Sequence, residues 1–240
     1  ASRVDLEEVP SHEVGAVFKV NALLSVKVRQ ALGAGQFPLV MAGNCNSCLG
    51  TLAGLAGADI GVTWFDGHGD FHTPETTETG FFDGFPLNIT VGRSWTTLAK
   101  TIPGFIPVSE SNVILAGVRD LDVPEEQLVR KSTMNICDYE DIRSGSVARL
   151  IPHLDSIAGR TSSVYVHVDL DVLDPEIAPA NEHSPPGGLR PQELDAALSL
   201  IGQRLQVKAA TLAGYDPAVD PHQKGLAAGL AVIKKLASLG

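Results

Sequence analysis

Two short acidic runs constrain this chain more than anything else in it. Trp64-Phe-Asp-Gly-His-Gly-Asp70 sets Asp66, His68 and Asp70 at alternate positions, and Val168-Asp-Leu-Asp171, much further along, does the same for Asp169 and Asp171. Each run follows an apolar, β-branched stretch that reads as a buried strand. In an extended chain, side chains two apart point the same way. Four carboxylates and an imidazole brought together would repel unless cations sat between them. An oxygen-rich donor set with a little nitrogen suits divalent ions such as Mn²⁺, and a pair of such ions is a hydrolytic centre.

The remaining pattern alternates strand and helix. Helices are expected at 13–33, 49–56, 86–100, from Pro124 to about Lys131, 147–157, from Pro191 to about Leu205, and 225–239. Strands are expected at 37–42, 59–65, 112–116, 134–137, 163–168 and 207–213. Long Gly/Pro-rich stretches at 67–84 and 172–190 read as functional loops. This order predicts a three-layer α/β/α fold with a mainly parallel sheet. In such folds the site lies outside the carboxyl ends of the strands. Gly43–Cys45, Asp66–Asp70, Arg119–Asp122, Asp169–Asp171 and Tyr215–Asp216 all fall there. The 240 residues show no repeat or linker, so one domain is expected over 1–240. No strand is evident before residue 37, which leaves room for a further strand segment upstream.

Net charge is −10, with no Lys/Arg block, which argues against nucleic acid or an anionic membrane as partner. No apolar run reaches the roughly 18 residues of a membrane span. Three cysteines do not make a disulfide framework. The opening Ala1–Pro10 lacks a signal-peptide pattern, and a cytoplasmic, reduced protein is the expectation.

The order Gly43-Asn-Cys-Asn46, then Trp64-Phe-Asp-Gly-His-Gly-Asp70 running into Phe-His-Thr-Pro-Glu-Thr-Thr77, Asp83-Gly-Phe-Pro-Leu87, Val168-Asp-Leu-Asp-Val-Leu-Asp-Pro175 and Pro185-Pro-Gly-Gly-Leu189 resembles the ureohydrolase family of arginase, agmatinase and formimidoylglutamase. The likeness runs from about residue 37 to the C-terminus. It implies two Mn²⁺ ions, a hydroxide bridging them that attacks a guanidino or amidino carbon, and a homo-oligomer, trimer or hexamer. By resemblance Asp66 and Asp169 bridge the ions, His68 and Asp171 complete one, and Asp70 completes the other. The family's remaining His ligand is absent, and Cys45 stands in its place. A hydroxyarginine-hydrolysing branch of the family also has Cys there. A thiolate can ligate a divalent ion, and it favours Zn²⁺ or Fe²⁺ at one site; Ni²⁺ is a further possibility. A one-residue shift would offer Asn46, a poorer ligand.

Other departures concern the substrate. The family's proton-shuttle His reads Asp83 here, with His72 and His183 as alternatives. The positions that hold an amino-acid carboxylate read His72 and Thr79. Asp122 matches the acid that receives an α-amino group. The guanidinium-binding Glu reads Gly214, in Ala213-Gly-Tyr-Asp-Pro217, with Asp216 or Glu182 as replacements. L-arginine is therefore not the expected substrate; a modified guanidine, hydroxyguanidine or amidine is. Substrate contacts are expected from His72, Thr79, Asp122, Glu182, His183 and Asp216. The competing reading is a catalytically silent family member acting as a binding or regulatory subunit. A sugar- or nucleotide-binding protein would need a glycine-rich phosphate loop, and none is present. Cys48, Cys137, Trp64 and Trp95 read as core, and His12, His153 and His222 as surface. His167 is either a partner to the ligands or a satisfied core histidine.

Overall fold

The computed structural model describes residues 1–8, 10–55 and 59–240. Among the described residues, six strands form one sheet: β1 Leu39–Met41, β2 Ile60–Phe65, β3 Val113–Ala116, β4 Asn135–Cys137, β5 Ser163–Asp169 and β6 Gln206–Ala213. Their order is β1-β6-β5-β2-β3-β4, and every pairing is parallel. The helices are α1 Glu13–Gly33, α2 Cys48–Leu55, α3 Pro86–Thr90, α4 Thr96–Ala99, α5 Val123–Lys131, α6 Tyr139–Gly145, α7 Ile151–Ala158, α8 Pro191–Arg204 and α9 Lys224–Ala237.

The sheet is buried on both faces, as a parallel sheet must be. Val164, Val166 and Val168 of β5 point into one core with Leu154, Leu194 and Val232 from α7, α8 and α9. Trp64 of β2 and Tyr165 of β5 point into the other, with Phe18, Leu49 and Leu87 from α1, α2 and α3. From β2 the chain works outward to β3 and β4; from β5 it works outward the opposite way, to β6. The strand order therefore reverses between β2 and β5, and a crevice opens at such a point. Both acidic runs end there.

The single helix expected at 86–100 is broken in two. Gly92 (φ +81°) and Trp95 (φ +52°) are left-handed, and a Cβ on Gly92 would meet Pro107 at 2.9 Å. The helix expected at 147–157 begins as a 3₁₀ turn, Val147–Leu150, with Pro152 in the first turn of α7. Helix α6 was not expected; Asp138 caps it by accepting from the Asp141 N–H at 2.9 Å. Ala56, the expected end of α2, lies outside the described residues.

Helix α2 packs on α1 through its glycines. A Cβ on Gly54 would fall 2.5 Å from Val28 Cβ and 2.8 Å from the Ser25 carbonyl. Alanine gains about 1 kcal/mol of helix propensity, but overpacking costs about 1–3 kcal/mol. Gly54→Ala is expected to lower the thermal midpoint; an unchanged or higher Tm by calorimetry would show that α1 can move away.

Candidate metal centre

The crevice is a cavity of about 300 Å³, lined among others by Cys45, Asp66, His68, Asp70, Asp169 and Asp171. Each side chain arrives at, or just beyond, the end of a strand. Asp66 follows β2, and its N–H is held by the Ala116 carbonyl at 3.1 Å. Trp64, two residues back and on the same face, donates its indole N–H to Asp66 Oδ2 at 3.0 Å. The other oxygen, Oδ1, accepts the His68 N–H at 2.8 Å. Asp169 ends β5, and its Oδ1 accepts the Asp171 N–H at 2.8 Å. Asp171 Oδ1 accepts the Gly67 N–H at 3.0 Å, tying the two strand ends together.

These atoms form two groups that share Asp66. One is Cys45, Asp66 and Asp169; the other is Asp66, His68 and Asp171. Cys45 Sγ lies 2.9 Å from Asp169 Oδ2 and 3.9 Å from Asp66 Oδ2. His68 Nδ1 lies 3.1 Å from Asp171 Oδ2 and 3.5 Å from Asp66 Oδ1. Asp70 is left-handed (φ +50°), a conformation aspartate tolerates. Its carbonyl accepts from the Leu87 and Asn88 N–H groups, yet its buried Oδ2 has no partner among the described residues.

The protonation pattern reflects crowding. Burial, then the Asp171 charge, pushes Asp66 up to about 6. Burial and neighbouring carboxylates raise Asp70 and Asp169 well above the usual range. Burial raises the Cys45 thiol, and Asp169 adds to the effect. Burial would lower His68, but hydrogen bonds to Asp171 and Asp66 outweigh it and lift the imidazole to about 11. Burial would raise Asp171, but the His68 hydrogen bond holds it down. Buried carboxylates that hold protons, beside an orphaned carboxylate oxygen, form a donor set with too little positive charge. Divalent cations would supply it, so these residues fit the ions that the sequence implies.

The other expected residues are not all at the cavity. Asp83 lines it: Oδ1 accepts from the Asn46 backbone N–H at 3.2 Å and the Asn46 side chain at 2.8 Å, and Oδ2 accepts from Asn44 at 3.1 Å. Burial raises its pKa. His72 also lines the cavity, with Nδ1 3.2 Å from Thr76 Oγ1 and Nε2 3.3 Å from Asp122 Oδ2. Thr79, His183 and Asp216 complete the wall. Asp122 and Glu182 stand outside the lining: Asp122 caps α5, and the Glu182 side chain is 77% exposed. Glu125 was not expected. It lines the cavity and accepts the Phe71 N–H at 2.8 Å, and burial lifts it to about 7. His167 stacks on Trp64 (centroids 3.7 Å apart) and meets Tyr165 Oη through Nδ1 at 2.9 Å. Burial lowers it to about 3, so it is neutral. It reaches the centre through Trp64, not by ligation.

The Arginase family model matches residues 2–238. The chain belongs to that family, the metal-dependent ureohydrolases. Among curated relatives, arginase from Bacillus caldovelox is 31% identical over 225 residues, spanning 92% of this chain and 75% of the relative. The native structure of that arginase superposes with a TM-score of 0.87 at 29% identity, covering 99% of this chain and 81% of the other. The crystal structure of Bacillus cereus arginase gives 0.86 at 27%, covering 95% and 79%. Agmatine ureohydrolase from Thermoplasma volcanium, at 19% identity over 97% of this chain and 71% of the other, shares the fold with a TM-score of 0.70.

The raised acids set a pH dependence for the metal-free protein. Asp66, Asp70, Asp169 and Glu125 keep protons in the fold that the unfolded chain releases above about pH 4. Their contribution is whole below that pH and is lost as pH rises through about 6 for Asp66 and about 7 for Glu125. His167 and His153, whose imidazoles burial lowers, work the other way up to their ordinary value, but they are two groups against four. The metal-free Tm is expected to be lower at pH 7 than at pH 5, and Mn²⁺ should raise it at pH 7. A metal-free Tm that climbs over that interval would contradict the crowding.

Proposed function

We propose that this chain is a binuclear metal-dependent hydrolase that cleaves a C–N bond of a guanidino, hydroxyguanidino or amidino compound other than L-arginine. The observation that carries the reading is the pair of ligand groups joined at Asp66. Cys45, Asp66, Asp70 and Asp169 would hold one ion; Asp66, His68, Asp169 and Asp171 would hold the other. The ions are of the Mn²⁺ type, with Zn²⁺, Fe²⁺ or Ni²⁺ as alternatives. Bound there, two cations lower the pKa of water and stabilise the charge that develops in the transition state.

The chain's own groups supply the rest. Asp83, whose pKa burial raises, lines the cavity and is the chain's candidate proton carrier. Its Oδ2 accepts from Asn44, and its Oδ1 accepts from the Asn46 backbone and side chain. His72 has both ring nitrogens engaged and pins the loop after Asp70 to α5. Phe81 and His183, with ring centroids 5.3 Å apart, and Tyr215 line the same wall of the cavity and would orient the substrate.

Two features support a substrate other than L-arginine. Gly214 has φ +80°, and a Cβ there would fall 2.2 Å from Asp169 Oδ1, so no carboxylate side chain fits at that position. Asp122, the candidate for an α-ammonium group, is already engaged by His72. A trimer or hexamer acting in the cytoplasm completes the proposal. The silent-subunit reading is favoured by Cys45, Asp83 and Gly214 standing where the family has His, His and Glu.

A urea- and ammonia-release screen over guanidines, hydroxyguanidines and amidines, with Mn²⁺, Ni²⁺ and Zn²⁺, separates the two. The best substrate should exceed L-arginine in kcat/KM by about 100-fold or more, the scale on which a missing polar partner discriminates. Asp169→Asn should bring release to background. Metal bound without turnover of any compound would select the silent reading. In the active protein, Asp83→Asn should cut kcat about 100-fold or more with little change in KM, as loss of a proton carrier does. An unchanged kcat would remove Asp83 from the chemistry.

A further inference from the structure

The two ligand groups share Asp66 but are chemically unlike. The first adds a sulfur, with Cys45 Sγ 2.9 Å from Asp169 Oδ2. The second adds a nitrogen, with His68 Nδ1 3.1 Å from Asp171 Oδ2. Cys45 is only 2% exposed, and its sulfur faces carboxylate oxygens. Cys48, three residues on, faces the Pro86 carbonyl and the Thr90 hydroxyl instead. On the wall of the same cavity, Asp70 is 7% exposed, and its Oδ2 has no partner among the described residues. That is a further donor on the wall of the cavity that the two groups share. Soft thiolates select ions such as Zn²⁺, whereas carboxylate-rich sets also suit Mn²⁺.

We propose that the centre is heterobinuclear by design: the half walled by Cys45 selects a thiophilic ion of the Zn²⁺, Co²⁺ or Cd²⁺ type, and the half walled by His68 takes a hard ion of the Mn²⁺ type. The proposal rests on the two-ion reading above and assigns each preference to a residue. Asp66 joins the unlike halves, so occupancy of the first half presents a fixed charge to the second.

The test is a Co²⁺ titration of the metal-free full chain, read by near-ultraviolet absorbance and by equilibrium dialysis. A sulfur-to-metal charge-transfer band should grow through the first equivalent and then stop, while a second equivalent binds without adding to it. Two equivalents bound with no sulfur band would overturn the proposal and leave the two-ion reading standing. No bound Co²⁺ or Mn²⁺ would overturn both. Cys45→Ser should abolish the band. It should also weaken Cd²⁺ binding by no less than the roughly 10- to 100-fold that loss of a mere outer partner costs, with a smaller effect on Mn²⁺. Cys45→His serves if the serine variant fails to fold: its ratio of Cd²⁺ to Mn²⁺ affinity should drop. An unchanged ratio in that variant would overturn the proposal.

Discussion

Mutual repulsion among buried carboxylates is the constraint on which the rest of this molecule depends. Asp66, Asp70, Asp169 and Asp171 are all nearly inaccessible to solvent and line one cavity. Buried anions are tolerated only when paired, protonated or bound to cations. Without metal, the fold uses the first two remedies. His68 carries a proton between Asp66 and Asp171, and burial and crowding shift Asp70 and Asp169 toward their protonated forms. A ligand that binds only the folded form adds its binding free energy to stability. The same crowding that weakens the metal-free chain therefore becomes the driving force for cation binding.

Crowding of this kind needs a stiff frame, or the carboxylates would swing apart into water. The frame is the β2–β5 pair, whose register runs from Ile60↔Ser163 to Phe65↔Val168 and delivers Asp66 and Asp169 side by side. Trp64 and His167 are opposite one another in that register, and their stack braces the indole that holds Asp66. On the other flank, the Arg119 guanidinium donates to the Asp171 carbonyl at 2.7 Å and to the Pro185 carbonyl at 2.9 Å. One cation thus fixes the loop after β5 to the Pro/Gly-rich segment that follows it.

The sheet was legible in the sequence because its strands are short apolar runs, and the two acidic runs were legible because they stand at the ends of two of those runs. Turns, not alternation, gather the acids: Asp66, His68 and Asp70 lie beyond the end of β2, Asp70 is left-handed, and Asp171 sits in a 3₁₀ turn after β5. What was hidden depends on contacts between distant segments. Helix α6 is only seven residues long, too short for a helical period to show in the sequence beside its capping aspartate. The break between α3 and α4 reflects the approach of Pro107 to Gly92. Glu125 shows the limit most clearly. Asp122-Val-Pro-Glu125 reads as a helix-start pattern, in which the glutamate would turn back to its own cap. Asp122 does accept from the Glu125 N–H. The Glu125 carboxylate instead reaches the Phe71 N–H, 54 residues away in sequence, and so becomes part of the cavity wall.

Three of the positions read as departures from the family, Cys45, Asp83 and Gly214, bear on whether the centre is worn or rebuilt. Random loss leaves unsatisfied groups and holes behind it. Here each replacement is integrated. Cys45 meets Asp169, and Asp83 is held by two N–H donors from Asn46 and one from Asn44. Gly214 leaves the space that the Asp169 carboxylate occupies, and its carbonyl accepts from Asn181 at 3.0 Å. Asn181 in turn reaches Asp171 Oδ2 at 3.5 Å, so the glycine turn is linked to the opposite end of the ligand set. A carboxylate side chain restored at Gly214 would displace Asp169, which means that this substitution and the present position of a metal ligand stand or fall together. Such mutual dependence is what the proposal of a centre refitted for a different C–N substrate requires.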